Sequence, residues 1–378
     1  MNEPGFRSYH SDVTLNFMLN RLSGDIDAAE LVEFADKFKD LDEWINEALR
    51  AAEKAEARQK FDQAASYYRG AEFFMPSDHA RKVEVYERYM DLFARVHPEV
   101  EAIRLSVPFE GGELGVIDIA AVGEEKDIIV ACSGFDGLIE EMYDSMTHLA
   151  EGGFRVVLYE GPGQGSALRR CHLTMSPEWE KPVAAVLDHL NINSCTLLGL
   201  SLGGYLAPRA AAFEPRVERL IAWGAMYDFF GCFKGRMDEQ TFAGLNMLVE
   251  SGAREPLNEI LYERMREDTT ARWSTEHGMH TCGGKDPFDF FSWAKQLHLR
   301  DVSPRIKQDT LIIAGSEDHL VPSEQIWEQS AALVNARSIT VRVFSKLENA
   351  SEHCQVTNPG VVIREIARWL DALSDRGL

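Results

Sequence analysis

Nucleophilic attack on a carbonyl needs a hydroxyl, a base to take its proton and a carboxylate to orient that base. The 378-residue chain offers a residue for each part. Ser201 sits in Gly199-Leu200-Ser201-Leu202-Gly203. The apolar run at 195–198 reads as a buried strand and the alanine-rich stretch at 206–213 as a helix. A strand that reverses sharply into a helix forces one residue into a strained conformation, and flanking glycines keep the turn free of clashes. That residue is pushed out at the carboxyl end of the sheet, so the Ser201 hydroxyl is a presented nucleophile. The plain alternative is a glycine-rich turn with an idle serine.

The base and the acid come later in the chain. Asp318 follows the β-rich run at 310–315, within Gly-Ser-Glu-Asp-His-Leu-Val-Pro. His353 follows the strand expected at 340–344, within Asn349-Ala350-Ser351-Glu352-His353. Both lie just past strand ends, where the loops of a parallel sheet converge. Glu317 is the alternative orienting acid. His319 is expected to point away and to be structural or lid-facing. For His353 the plain alternative is an idle surface histidine.

A developing oxyanion needs donors aimed at it. The backbone N–H of Leu202 is one. The loop Ser133-Gly134-Phe135-Asp136-Gly137 supplies the other, with the N–H of Phe135 first and that of Asp136 second. Gly134 would let the backbone approach a substrate closely.

These loops require a sheet. Residues 103–109 and 114–120 alternate around Glu110-Gly111-Gly112 and read as a hairpin. Strands follow at 127–132, 155–159, 195–198, 217–223, 310–315 and 340–344, with helices at 138–151, 177–190, 206–213 and 361–373. Strands alternating with helices predict an α/β fold with a mostly parallel sheet covered on both faces. Residues 226–300 break that rhythm and read as a helical lid insertion. Phe229, Phe230, Phe290, Phe291 and Trp293 lie there. They suit an aromatic substrate pocket and equally suit packing of the lid on the core.

Residues 1–98 read as a helical accessory domain. Leu31, Phe34, Phe38, Leu41, Trp44, Ile45 and Leu49 recur at helical spacing. Strong helix formers dominate 52–71, and Met75-Pro76-Ser77-Asp78 ends that helix. Ser77 or Asp78 would cap the next helix, which runs to about residue 96. One such helical hairpin is too few for a repeat array that binds proteins. The core then divides into 99–225 and 301–378, on either side of the lid.

Composition narrows the class. A net charge of −22 argues against nucleic acid and anionic membranes as partners. No apolar run is long enough to span a bilayer, and Met1-Asn2-Glu3-Pro4 lacks a leader's basic and apolar regions. Six cysteines scattered singly suggest a reducing cytoplasm. His277, His280 and Cys282 lie close but lack a second ligand pair, so an ordinary polar loop is expected there and no metal. Glu160-Gly161-Pro162-Gly163-Gln164-Gly165-Ser166 lacks the dinucleotide glycine spacing, and no cofactor is expected.

Ser201, then Asp318, then His353 is also the chain order of the α/β-hydrolases, which residues 100–375 resemble at four strand ends. In that family a glycine turn like 160–166 shapes one wall of the site. The N-terminal stretch 44–74, with Tyr67-Tyr68-Arg69, and the Ser133–Gly137 loop followed by Glu140-Glu141 resemble one branch of it. That branch holds 2,6-dihydroxypseudooxynicotine hydrolase, fungal hydrolases that shorten polyketide chains, and esterases of the fermentation-respiration switch type. The resemblance implies hydrolysis of a carbon–carbon bond beside a ketone in an aromatic or β-diketone substrate. It also implies an auxiliary pocket acid, for which Asp228 and Asp136 stand as alternatives to plain solvated carboxylates, and a homodimer. A carboxylesterase or thioesterase with the same triad is the second expectation. A non-catalytic ligand- or partner-binding protein is the third.

Overall fold

The computed structural model describes residues 4–374. Residues 1–3 and 375–378, which hold most of the tetrapeptide read for a leader and the tip of the last expected segment, lie outside the described residues.

The N-terminal region folds as helices α1 (Val13–Leu22), α2 (Ala28–Ala35), α3 (Leu41–Ala57), α4 (Phe61–Phe74) and α5 (Lys82–Val96). Asp12 caps α1 by accepting from the N–H groups of Thr14 and Leu15, and Asp40 caps α3 by accepting from that of Glu43. The helix expected through 52–71 is in fact interrupted at Arg58-Gln59-Lys60. Gln59 takes φ +60°, and the N–H groups of Gln59 and Lys60 satisfy the carbonyls of Glu56 and Ala55. Folding back buries Ala48, Ala52 and Ala55 of α3 along α4, and that packing outweighs local helix propensity. Trp44 locks the pair by donating from Nε1 to the carbonyl of Gly70 at 2.9 Å. Ser77 and Asp78 do not cap α5, which begins at Lys82 behind Arg81. The buried Lys82 ammonium instead donates to the carbonyls of Glu72 and Met75, which end α4.

Eight strands form one sheet: β1 (Arg104–Phe109), β2 (Gly112–Ile119), β3 (Asp127–Cys132), β4 (Phe154–Tyr159), β5 (Cys195–Leu200), β6 (Val217–Trp223), β7 (Asp309–Gly315) and β8 (Ser338–Phe344). Their lateral order is β1-β2-β4-β3-β5-β6-β7-β8. β1 and β2 meet through the two-residue turn Glu110-Gly111, whose φ values are both positive. β2 is antiparallel to both neighbours, and all other pairings are parallel. The strand order reverses between β3 and β5. Loops leaving the carboxyl ends of those two strands therefore part and open a crevice.

Successive strand residues serve opposite faces. On β5, Leu197 packs with Val130, Val157, Leu220 and Ile312, whereas Leu198 joins Ala131, Ile221 and Ile313 on the other side. Helices α6 (Tyr143–Glu151), α7 (Gly165–Arg169), α8 (Glu180–His189) and α9 (Gly203–Ala211) cover the first half of the sheet. The lid holds a 3₁₀ turn, Phe230–Arg236, and four helices: α10 (Glu239–Glu250), α11 (Arg254–Glu267), α12 (Thr269–Cys282) and α13 (Pro287–Ala294). His277, His280 and Cys282 thus stand on a helix and not in a polar loop. Helices α14 (Glu324–Ala332) and α15 (Pro359–Ser374) complete the core. No helix among the described residues is long and apolar enough to cross a membrane.

The N-terminal helices share one apolar cluster with the lid and one sheet face. Ion pairs stitch the same seams. Glu72 on α4 takes Arg169 on α7, and Asp42 on α3 takes Arg272 on α12.

Candidate active site

β5 ends at Leu200, and the next residue, Ser201, has φ +61°. Its N–H donates to the carbonyl of Trp223 on β6 at 2.7 Å. A Cβ on Gly199 would lie 1.9 Å from the carbonyl oxygen of Gly203, so the sharp turn tolerates only glycine there. The serine side chain is thereby held above the sheet.

His353 follows β8, and its Nε2 lies 2.9 Å from Ser201 Oγ. Its Nδ1 lies 2.7 Å from Asp318 Oδ2. Asp318 follows β7, and its other oxygen accepts from the N–H groups of Leu320 and Val321 at 2.8 and 2.9 Å. Burial disfavours charge on both members of the pair. Their mutual attraction outweighs it. Asp318 is held below the ordinary carboxylate range by His353 and the two N–H groups, and His353 is held well above its ordinary value by Asp318. Glu317 turns elsewhere and accepts from the Ser351 hydroxyl at 2.9 Å. His319 packs its ring 4.8 Å from Phe17 of α1, and burial pushes its imidazole down to about 4.

The loop after β3 is held one carbonyl at a time. Gln164 donates through Nε2 to the carbonyls of Ser133 and Gly134, both at 2.8 Å. Burial lowers His277 to about 4, so its ring is neutral, and Nε2–H donates to the carbonyl of Phe135 at 2.8 Å. Arg69 donates to the carbonyl of Asp136 at 2.5 Å. Core, lid and N-terminal helices each contribute one of these clamps. The N–H groups of Leu202 and Phe135 donate to no other group among the described residues. A Cβ on Gly134 would stand 2.6 Å from Leu202 N and 2.7 Å from Ser201 Cβ. The glycine therefore brings the loop close against the serine turn.

The auxiliary residues divide. Asp136 lines the space beside Ser201, but its carboxylate pairs with Arg21 at 2.8 Å. Asp228 lines no cavity shared with Ser201. Its carboxylate pairs with Arg300 and accepts from the N–H of Gly231, so it braces the start of the lid. Phe229 and Phe290 line a small space of about 40 Å³ at Ser201 and His353. Phe230 instead packs on Phe242 and Phe291, and Trp293 donates from Nε1 to the carbonyl of Met175. Phe230 thus packs within the inserted helices, and Trp293 ties them to the core.

Two larger cavities flank that small space. One of about 490 Å³ runs under α1 and α4 past Phe17, Met18 and Ala65. The other, of about 460 Å³, lies between α1, α12 and the loop after β7. Leu320 lines all three. Sequence reading passes over Phe17, Gln164, Arg236 and Leu320. Arg69 alone carries a signal, as a charged residue inside an apolar helical face.

The model of the alpha/beta hydrolase fold family matches residues 127–355. The hydrolyase poxO of Penicillium oxalicum is 32% identical in an alignment of 370 positions that covers 89% of this chain and 86% of the relative. The hydrolase acrC of Aspergillus aculeatus is 27% identical over 72% of this chain and 70% of its own. Among solved structures, 2,6-dihydroxy-pseudo-oxynicotine hydrolase aligns with a TM-score of 0.63 at 20% identity, over 93% of this chain and 94% of that one. The structure titled AbyA5 Wildtype aligns at 0.68 and 18% identity, over 91% and 88%. With the family matched from β3 through the serine turn to the loop after β8, this chain is a hydrolase that belongs to the α/β-hydrolase fold family.

Proposed function

We propose that Ser201, His353 and Asp318 act as a catalytic triad that cleaves a carbon–carbon bond beside a ketone in an aromatic or β-diketone substrate. The observation that carries the reading is the His353 ring, 2.9 Å from Ser201 Oγ on one side and 2.7 Å from Asp318 on the other. Ser201 Oγ attacks the ketone carbon as His353 Nε2 takes its proton. The N–H groups of Leu202 and Phe135 receive the oxyanion. Collapse breaks the bond to the neighbouring carbon, whose electron pair leaves as an enolate. His353 returns its proton to that carbon, and water then frees the acyl group from Ser201 through the same base.

Such a substrate has two arms that meet at the scissile bond. The two large cavities that converge on Ser201 through Leu320 accommodate arms on both sides. The similarity to fungal hydrolases, including the 20-hydroxy-prefusarin hydrolase FUS2 of Gibberella moniliformis at 26% identity, supports a polyketide-related substrate.

One observation favours a second reading, an esterase with the same triad. Asp136 and Asp228, the two acids expected to assist a carbon leaving group, are both engaged by arginines. An ester's leaving oxygen takes its proton from His353 and needs no second acid. A panel of aryl esters against aryl β-diketones separates the two. Turnover of diketones that vanishes in Ser201→Ala is expected. Fast ester turnover with inert diketones would sink the carbon–carbon reading. A Ser201 that never labels with a fluorophosphonate would sink the triad itself.

A further inference from the structure

Arg236 ends the 3₁₀ turn that opens the lid. It lines the small space with Ser201, Phe135 and His353, and it also lines the 460 Å³ cavity beyond. With Phe233, Ser274 and Leu320 it forms the passage between them. The other arginines that line these cavities are satisfied. Arg21 has Asp136 and Glu141, Arg69 has Glu72 and Glu141, and Arg264 has Asp268. The Arg236 guanidinium has neither a hydrogen bond nor an ion pair among the described residues, although its carbonyl accepts from Arg264. The side chain is half-buried with its Cζ 6.0 Å from the Phe233 ring centroid, so its five rigid N–H donors face the cavity with no acceptor from the chain and are open to a ligand. Burial pushes this group below its ordinary value, and Cys232, Asp268 and Asp318 only partly offset that.

The surroundings do not neutralise it. Asp318 is committed to His353 and two N–H groups, and Asp268 to Arg264 and the N–H of Ala271. Ser274, Thr14 and Thr270 add hydroxyls to the same wall. On a chain of net charge −22, a local cation raises the local concentration of an anionic ligand.

We propose that Arg236 is a substrate-binding residue that pairs with an anionic oxygen, a carboxylate or the enolate of a 1,3-dicarbonyl, on the arm that enters the 460 Å³ cavity. This rests on the reading that the reaction occurs at Ser201. A guanidinium fork matches two such oxygens in one plane, which an ammonium does not. It would select anionic substrates over neutral ones of equal shape.

The test uses full-length Ser201→Ala protein and calorimetric binding. The probes are 4-oxo-4-phenylbutanoate, its primary amide, and 1-phenylbutane-1,3-dione. Expected is about tenfold or more tighter binding of the acid than of the amide, or binding of the dione with its enolate absorption band. The first locates the oxygen in a carboxylate and the second in an enolate. Arg236→Gln is expected to abolish whichever signal is seen, and Arg236→Lys to keep part of it. Equal affinity for acid and amide together with a neutral bound dione overturns the proposal on the Arg236 protein alone, whether or not a variant folds. Survival of the signal in folded Arg236→Gln also overturns it. Fluorophosphonate labelling of the unmodified protein reports on Ser201 separately, so failure of the triad reading is distinguishable from failure of this one.

Discussion

Gln164 holds the carbonyl of Gly134 at 2.8 Å, and that bond orients the N–H of Phe135. The two groups belong to one planar trans peptide, so they point in opposite directions. Drawing the carbonyl toward the glycine turn after β4 turns the N–H away from that turn. In the proposed reaction, oxyanion stabilisation therefore depends on the Gln164 side chain as well as on the donor itself.

Gln164→Leu is expected to lower kcat by on the order of 10²-fold with little change in KM, the size expected for a misdirected oxyanion donor. It also leaves two carbonyls without a donor, which costs about 1–3 kcal/mol of stability. Steady-state kinetics beside a melting curve measures both. A raised KM with unchanged kcat would place Gln164 in substrate binding instead.

Asp318→Asn tests the pair through pH. The Asp318 carboxylate raises the His353 pKa, and attack needs the imidazole neutral. Removing that charge is expected to move the acid limb of kcat/KM to lower pH while the plateau falls by about 10⁴-fold. Stability follows the same signs. The depressed Asp318 contributes stability above its unfolded pKa, lost as pH falls through the folded one. The raised His353 contributes stability below its unfolded pKa, lost as pH rises through its folded one. Asp318→Asn is thus expected to flatten stability at both edges, read as Tm against pH.

Leu320→Trp should fill the junction of the three cavities. Turnover of small acetyl esters is expected to change by less than about threefold. KM for a two-armed aryl diketone should rise by about tenfold or more, the cost of excluding a few methylenes' worth of contact. Equal losses on both substrates would show that the cavities do not carry separate arms.

Glu72 is fully buried on α4, and it holds Arg69 and Arg169 at 2.7 Å and Lys82 at 3.1 Å. Burial opposes its charge, but these three cations hold its carboxyl well below the ordinary range. Glu72→Gln leaves them unneutralised and is expected to cost about 3–5 kcal/mol. Denaturant unfolding checks the magnitude. Because Arg69 also holds the Asp136 carbonyl, kcat is expected to fall in the folded variant as well.

Some of this is legible in the residue order. The glycines around Ser201 specify a strained turn locally, and Asp318 follows a continuous apolar run and His353 an alternating one, each of which marks a strand. Period-2 and period-3.6 patterns act over a few residues, so the sheet and its covering helices can be read without knowing their partners. The break at Arg58–Lys60 cannot, because only the packing of α3 on α4 favours it over a continuous helix.

The same limit applies at the site. Asp136 and Asp228 look alike as loop carboxylates, and the arginines that claim them are 115 and 72 residues away. Gln164, His277 and Arg69 come from three regions, yet they grip neighbouring carbonyls of one loop. Order along the chain specifies which chemistry is available, because a nucleophile turn is a local backbone property. Which carbonyls are clamped, which charges are neutralised and where Arg236 stands unpaired follow only from long-range packing, because hydrogen bonds and ion pairs act over a few ångströms of space whatever the sequence separation.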